Sequence, residues 1–182
     1  MPFIIGIVVL VILAVLWYVS SQRKLVALDE NINNAMSQIG VQLSSRWDAV
    51  TALVDLAREY SKVEYDTLMD TVAQRKSITA ASSASEANEQ DQILTNAVSR
   101  IVAVAESYPE LKSSENYIKA MDSVTHYEDM VRQSRMIYND SVTKLNRAVR
   151  QFPTSIIAGA LGFGQRAYLE ADSSKADMPS FK

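Results

Sequence analysis

The sequence predicts an all-α membrane protein. An N-terminal transmembrane helix continues into an antiparallel bundle of three long helices, followed by a short C-terminal segment. Residues 3–19 are apolar, and in the rest of the chain apolar residues recur at steps of three and four. Such steps are typical of one face of an α-helix. The 182 residues contain only 5 Gly and 4 Pro, and so few helix breakers argue against strand-rich folds.

The composition excludes several classes of function. The chain has no Cys, which excludes disulfides, a thiol nucleophile and a cysteine-ligated metal. Its 18 basic and 21 acidic residues give a formal net charge of -3. Binding to a nucleic-acid backbone requires a basic surface, so we expect no nucleic-acid partner.

The first predicted element is a membrane anchor, residues 1–24. The uncharged run from Phe3 to Val19 would extend about 26 Å as a helix, close to the hydrocarbon thickness of about 30 Å. Trp17 and Tyr18 lie at its far end, where aromatic rings favour the membrane interface. The run lacks the basic start and the small-residue cleavage site of a signal peptide, so we predict that it is retained.

Two basic residues predict the orientation of the protein. Arg23 and Lys24 follow the apolar run, whereas no basic side chain precedes it. Basic residues beside a span favour the cytoplasmic side. We therefore expect the domain of residues 25–170 to face the cytoplasm.

The first bundle helix is predicted by an apolar stripe that begins directly after the anchor. No proline occurs between Pro2 and Pro109, so the anchor can continue into this helix, with Gly40 as its weak point. The stripe comprises Leu25, Leu28, Ile32, Ala35, Ile39, Leu43, Trp47, Val50, Val54, Ala57 and Tyr60.

A connection of small and polar residues, 79–89, precedes the second helix. We expect Ser85 to cap this helix, with Asn88 and Glu89 in its first turn, and Pro109 to end it. Its predicted core face is Leu94, Ala97, Ile101, Val104 and Tyr108.

The third helix, which we expect Ser114 to cap, has the most regular seam of the chain. Its steps alternate between four and three residues, which requires helical partners and predicts the antiparallel bundle. The seam comprises Tyr117, Met121, Val124, Glu128, Val131, Arg135, Tyr138, Val142, Leu145, Val149 and Phe152.

The apolar segment 156–163 is too short to cross a bilayer. Packing on the bundle is favoured, because burial is the usual fate of apolar residues, while contact with a neighbouring subunit or with lipid headgroups stays open. We predict a flexible tail at residues 171–182. The candidate partner contacts in the apolar segment are Ile156, Ile157, Leu161 and Phe163.

Glu128 and Arg135 place charges in the seam of the third helix. A charge in a seam needs a partner, and the favoured interpretation is an ion pair, with each other or across helices, that fixes register. A catalytic acid is the alternative, but no second polar group of a pocket is recognisable. If the ion-pair interpretation holds, removing either charge alone should destabilise the protein more than removing both.

No motif for a catalytic, cofactor or metal site is present. The sequence lacks a phosphate-binding loop, a zinc-protease motif and a nucleophile elbow. His126 is the only histidine, which is too few for a typical transition-metal site. Asn139 and Asn146 favour amide hydrogen bonds between helices over a ligand site.

Several motifs, in order along nearly the whole chain, resemble the LemA family of bacterial membrane proteins. They are LVALDENINNAMSQIGVQLSSRWDAVTALV at 25–54, IVAVAESYPELKSSEN at 101–116, Tyr138-Asn139-Asp140, and Phe152-Pro153 followed by IIAGALGFG at 156–164. Two departures are Met36, where the family usually has Trp, and Val63, which replaces a frequent His.

The resemblance implies a single-pass protein of the bacterial cell membrane with a helical-bundle domain and no established enzymatic activity. It also implies that some relatives are associated with magnetosome membranes. Glu128, Arg135, Tyr138 and Asn139 match the family's pattern on the third helix and form the predicted structural polar seam.

Two functions are compatible with these observations. The first is a non-enzymatic scaffold that self-associates at the bilayer, and the alternative is an adaptor or sensor that binds a membrane partner protein in quality control or signalling. A scaffold predicts a large homo-oligomer from the purified protein, whereas an adaptor predicts a small species that captures another protein. We expect no cofactor in either case.

Overall fold

A computed structural model describes the chain from residue 2 to residue 169. Within these residues the chain forms six α-helices and no strand, which confirms the all-α fold. The predicted tail, residues 171–182, lies outside the described residues. The helices are α1 (Pro2–Ala57), α2 (Lys62–Val72), α3 (Ala84–Ser107), α4 (Pro109–Ser113), α5 (Glu115–Arg150) and α6 (Thr154–Leu161).

α1 is one helix of 56 residues that contains both the apolar run and the first bundle helix. Residues 3–20 are exposed on every side, and this part of α1 is long and apolar enough to cross a membrane. Burial begins at Ser21 and Leu25, where other helices start to cover α1. The helix therefore joins the apolar run to the core without an intervening loop.

Gly40 is a site of close approach, and α1 continues through it as helix. A Cβ atom at Gly40 would collide with the carbonyl group of Ile78, whose carbon would lie 2.9 Å away. The same loop is held from the other side by buried Gln90, which accepts from Lys76 N at 2.8 Å and donates to Gln74 O at 3.2 Å. Glycine is required here because the loop after α2 crosses the surface of α1.

The first bundle helix ends earlier than the apolar stripe predicts. α1 stops at Ala57, and Tyr60 lies in the turn that leads to α2. Ser61 caps α2, because its hydroxyl accepts from Glu64 N at 3.3 Å. The cap gives α2 its own start, so a short separate helix lies where the sequence analysis placed no break.

α3 begins at Ala84, and its cap is Ser83, so the assignment of the cap to Ser85 was wrong. Ser83 Oγ accepts from Glu86 N at 3.2 Å, and the Glu86 carboxylate accepts from Ser83 N at 2.7 Å. This reciprocal capping box satisfies two backbone donors at once, which Ser85 cannot do from inside the first turn.

The predicted ends of the other long helices are confirmed in the structure. α3 stops at Ser107, and Pro109 begins the single turn of α4. Ser114 caps α5 by accepting from Tyr117 N at 3.2 Å. The seam of α5 lies against the core except at Phe152, which follows the end of the helix and is 76% exposed.

α1, α3 and α5 are the three long helices of the bundle. α1 packs most extensively on α5 and also contacts α3, and α6 packs on both α1 and α5 near the start of the bundle. Their apolar faces meet in one continuous core that includes Leu25, Trp47, Leu94 and Leu145.

Candidate functional site

The apolar run of α1 is the first candidate site. Phe3 is 85% exposed, and Trp17 and Tyr18 are less exposed at the far end of the run. Arg23 and Lys24 are exposed within the next two turns of the same helix. These positions present aromatic rings and then cations in the order that a membrane interface favours.

A second candidate site is the group of polar side chains Arg46, Asn88, Asp91, Glu128 and Arg135, which we name the interhelical charge cluster. Arg46 is 1% exposed and donates to Asp91 Oδ1 at 2.8 Å and to Glu128 Oε2 at 3.2 Å. Arg135 donates to Asp91 Oδ2 and to Asn88 Oδ1, the latter at 2.9 Å. Asp91 therefore joins two guanidinium groups.

The cluster links three helices and compensates its own charge. Arg46 belongs to α1, Asp91 to α3, and Glu128 and Arg135 to α5. Two guanidinium groups face two carboxylates, and a buried charge is tolerated when it is paired and hydrogen-bonded in this way. These bonds can fix the positions of the three helices relative to one another along their axes. Each carboxylate is directed towards an arginine.

Sequence reasoning identified Glu128 and Arg135 but missed Arg46, Asp91 and Asn88. A signal for Arg46 was present, because it is three residues from Leu43 and therefore lies on the buried stripe of α1. Asp91 carried the same kind of signal, because it lies three residues before Leu94 and four after buried Ala87, on the core face of α3.

The third candidate site is an extended segment, residues 163–169, which we name the C-terminal strap. Asn146 Nδ2 donates to Arg166 O at 2.9 Å, and Arg166 N donates to Asn146 Oδ1 at 2.8 Å. Asn139 bonds in the same way to the backbone of Leu169, at 3.0 and 2.9 Å. The amides therefore bind an extended backbone, and not another helix as expected.

The spacing of the two asparagines matches the spacing of the backbone that they bind. Asn139 and Asn146 are seven residues apart on α5, whereas Arg166 and Leu169 are three residues apart. Seven helical residues rise about 10.5 Å, and three extended residues span about 10 Å. The distance between the two asparagines along α5 therefore matches the distance between the two backbone units that they bind.

Tyr138 and Asp29 also hold the C-terminal strap. The Tyr138 hydroxyl donates to Ala167 O at 3.1 Å, and burial raises the pKa of this tyrosine above 10.0. The Arg166 guanidinium contacts Asp29 Oδ1 at 2.8 Å. The strap therefore connects α5 to α1 on the side of the bundle next to the apolar run.

The candidate partner contacts after Pro153 do not lie together on one surface. Ile157 is 3% exposed and packs in the core, and Leu161 and Phe163 are half-buried against it. Ile156 is 62% exposed. Only Ile156 of this group is fully available to a partner.

In the described part of the chain, no three His, Asp or Glu side chains are grouped so that they could hold a metal ion. His126 lies with its ring centroid 5.4 Å from that of Tyr127, in an edge-on arrangement. The imidazole therefore makes a local aromatic contact on α5.

Comparison with known proteins gave a family match and related proteins. The family model described as "LemA family" matches residues 35–182. "Magnetosome protein MamQ 2" of Paramagnetospirillum magneticum and "Magnetosome protein MamQ" of Magnetospirillum gryphiswaldense are each 30% identical to this chain over 84 residues. The similar region is 46% of this chain but 30% of each relative, so the chain matches less than a third of these curated proteins.

Proposed function

The chain belongs to the LemA family, and we propose that it is a membrane-anchored, non-enzymatic scaffold protein that self-associates at the membrane. The family and the apolar helix fit a membrane-associated protein. The observation that carries the scaffold role is the continuity of α1 from the apolar run into the core. Because no loop separates the two parts, each copy would hold its bundle in one orientation relative to its own span.

An exposed apolar pair on α5 supports self-association. Met136 is 67% exposed and Ile137 is 61% exposed, one turn before Asn139. Adjacent exposed apolar side chains favour contact with another protein surface. Copies that share an orientation in one membrane meet side by side, so the same face of each copy is available for repeated contacts.

The polar sites support a non-enzymatic role. The charges of the interhelical charge cluster are compensated between helices, and the strap asparagines are occupied by the chain's own backbone. These groups therefore stabilise the bundle through contacts within the chain.

The particle mass of the full-length protein in mild detergent tests this proposal. We expect a large, uniform particle by light scattering and electron microscopy, and a small species from a version that lacks residues 1–24. Ile137→Glu should reduce the mass, whereas Val63→Glu, at a site that is 75% exposed at the other end of the bundle, should not. A monomer or dimer in every case would contradict self-association.

The same experiment addresses the adaptor alternative, which the Met136 and Ile137 pair also supports. A small purified species that captures a membrane protein in stoichiometric amounts, and loses it in Ile137→Glu, would favour the adaptor.

We also propose that the bundle faces the cytoplasm, because Arg23 and Lys24 follow the apolar run. The chain has no Cys, so Val63→Cys would carry its only thiol. A maleimide that cannot cross membranes should label this thiol only after the cells are opened. If the thiol is labelled in intact cells, whose outer membrane is made permeable where one is present, the bundle faces the outside and the proposed orientation is wrong.

A further inference from the structure

The corner between α5 and α6 presents exposed apolar side chains. Phe152 is 76% exposed and Ile156 is 62% exposed. No charged residue occurs from Phe152 to Gly164. Exposed apolar side chains that lie together usually mark a contact with a partner or a membrane.

The pairing of α1 with α5 fixes the height of this corner along the bundle. Arg46 on α1 bonds to Glu128 on α5, and the C-terminal strap joins Asn146 on α5 to Asp29 on α1. The two α1 positions are 17 residues apart, and the two α5 positions are 18 residues apart. The helices therefore run antiparallel and side by side, with nearly constant register.

This register places the corner beside the end of the apolar run. Continued to its last residue, Arg150, α5 lies opposite about Leu25, so Phe152 lies level with about Arg23. The apolar run ends at Val19, four residues earlier, which is about 6 Å along the helix. The headgroup layer on each side of a bilayer is about 5–7 Å thick. Phe152 therefore lies at the height of the headgroups.

Burial on α1 gives an independent check of this height. Ser21 is 7% exposed and Leu25 is fully buried, although residues 3–20 are exposed. α6 contacts α1, and Ile157 of α6 belongs to the same core as Leu25. The bundle thus begins within one turn of the apolar run.

Basic side chains lie near the height of the corner along the bundle. Arg147 and Arg150 are exposed in the last turn of α5, and Arg23 and Lys24 are exposed on α1. The carboxylates at residues 29–30 lie more than one helical turn further from the apolar run. Cations near a membrane surface attract anionic headgroups, each by about 1 kcal/mol.

We propose that the α5–α6 corner is a second membrane contact, in which Phe152 and Ile156 enter the interfacial layer and Arg147 and Arg150 face anionic headgroups. The proposal rests on the membrane anchoring of the proposed function and is independent of self-association. A single span can itself rotate about its axis and tilt in the bilayer, and the bundle that α1 joins to it moves with the span. A second contact beside the span fixes both, so that every copy presents the same face within the membrane plane.

Fluorescent labels on single cysteines in the full-length protein test this contact. Phe152→Cys and Ile156→Cys place an environment-sensitive label at the corner, and their exposure means that the core is not disturbed. Leu10→Cys serves as the control within the apolar run, and Val63→Cys as the control at the far end of the bundle. Each variant is reconstituted in vesicles of phosphatidylcholine, with and without phosphatidylglycerol, and its helix content is checked by circular dichroism.

We expect the labels at 152 and 156 to shift their emission to the blue, to lose most of their quenching by iodide, and to be quenched by a spin label carried near the lipid headgroup. The label at 63 should show none of these effects. The protection of these two labels from iodide should be greater in vesicles that contain phosphatidylglycerol. It should be smaller in the double variant that carries Arg147→Gln and Arg150→Gln.

Three results would overturn the proposal, and they are distinguishable. Labels at 152 and 156 that respond like the label at 63 mean that the corner faces water. Labels that are protected from iodide but not quenched from the lipid mean that a second copy covers the corner. A label at 10 that iodide reaches means that the anchoring itself is wrong.

Discussion

Arg46 is the residue on which the interhelical charge cluster depends, because it is almost fully buried and bonds to carboxylates on two other helices. Removing one partner of a buried pair leaves a charge without compensation, which costs more than the pair contributes. Asp91 is the most sensitive partner, since it also bonds to Arg135. The same logic supports the expectation that changes at Glu128 and Arg135 are coupled.

Asp91→Ala should lower the free energy of unfolding by about 3 kcal/mol, because two guanidinium groups lose their shared acceptor. Urea unfolding followed by circular dichroism measures this loss. Glu115→Ala removes an exposed ion pair with Lys119 on α5 and should cost less than about 1 kcal/mol. Equal costs for the two variants would contradict the structural role of the cluster.

Gly40→Ala should destabilise the protein, although alanine is the better helix former by about 1 kcal/mol. The added Cβ would collide with the backbone of Ile78, and forced overpacking costs about 1–3 kcal/mol. Gly159→Ala is the matched control, because a Cβ there meets nothing within 4 Å. Thermal unfolding should therefore shift down for Gly40→Ala and stay constant or rise for Gly159→Ala. A shift in the same direction for both would refute the close approach.

Tyr138 should make stability decrease at high pH. Burial raises its pKa above 10.0, so the unfolded chain loses this proton at lower pH than the folded chain. The contribution of the neutral phenol is complete below pH 10.0 and is lost as the pH rises through the folded pKa. Urea unfolding at several pH values above 9 should give a shallower decrease for Tyr138→Phe than for the wild type.

Tyr168→Phe is the control for this pH dependence. The hydrogen bond with Thr143 lowers the pKa of exposed Tyr168, which is a shift of opposite sign. This variant should not flatten the decrease in stability. Identical pH profiles for the wild type and Tyr138→Phe would show that Tyr138 is not the responsible group.

At the scale of elements, α5 binds helices on one face and an extended chain on another. Its seam packs on α1 and reaches α3 through the hydrogen bonds of Arg135. On the other face, Asn139 and Asn146 each supply a donor and an acceptor to the bound backbone. The amides contact backbone atoms, so these four hydrogen bonds do not depend on the side chains of the C-terminal strap. Leu169 is its buried end, at 3% exposure.

Asn146→Ala should release the C-terminal strap and expose the bond after Arg166 to trypsin. The change removes two hydrogen bonds of about 1 kcal/mol each, so cleavage should accelerate by about tenfold or more. Mass spectrometry of the digest measures the rate, and Asn139→Ala should have the same effect. Exposed Asn116→Ala is the control. A rate equal to that control in both variants would mean that the amides do not hold the strap.

At the scale of the whole molecule, α1 joins the apolar run and the bundle in one continuous helix. A bundle on a flexible linker would sample many orientations, whereas a continuous helix transmits the orientation of the span to the domain. The corner at Phe152 and the strap contact with Asp29 both lie at this junction. The scaffold proposal therefore depends on the stiffness of a few turns around Ser21.

An insertion at this junction tests the importance of stiffness. Seven alanines inserted between Ser20 and Ser21 keep the helix and restore its phase to within about 20°. Seven residues of glycine and serine at the same place break the helix, because glycine favours no single conformation. Particle mass in mild detergent should be retained with alanine and reduced with glycine and serine. Equal masses would mean that self-association does not need a rigid connection.

The sequence alone determined the apolar run of α1, the three long helices and the cap at Ser114. Each of these depends on interactions between residues close in sequence, or on the partition of a continuous run between water and lipid, so its pattern is local. The same reasoning placed the seam of α5 correctly up to Val149, since a heptad pattern reports which face is buried.

Only the tertiary structure decided which groups meet across the bundle. The partners of Arg46 lie 45 and 82 residues away, and those of Asn139 and Asn146 lie 30 and 20 residues away. No local pattern specifies such pairs, because they depend on the register of helices and on the path of the strap. The same is true of Gly40. The sequence indicates only a weak point of α1 there, whereas the structure shows a close contact with the carbonyl group of Ile78. Local sequence preferences determine where the helices form, and contacts between residues distant in sequence determine the register in which the helices pack.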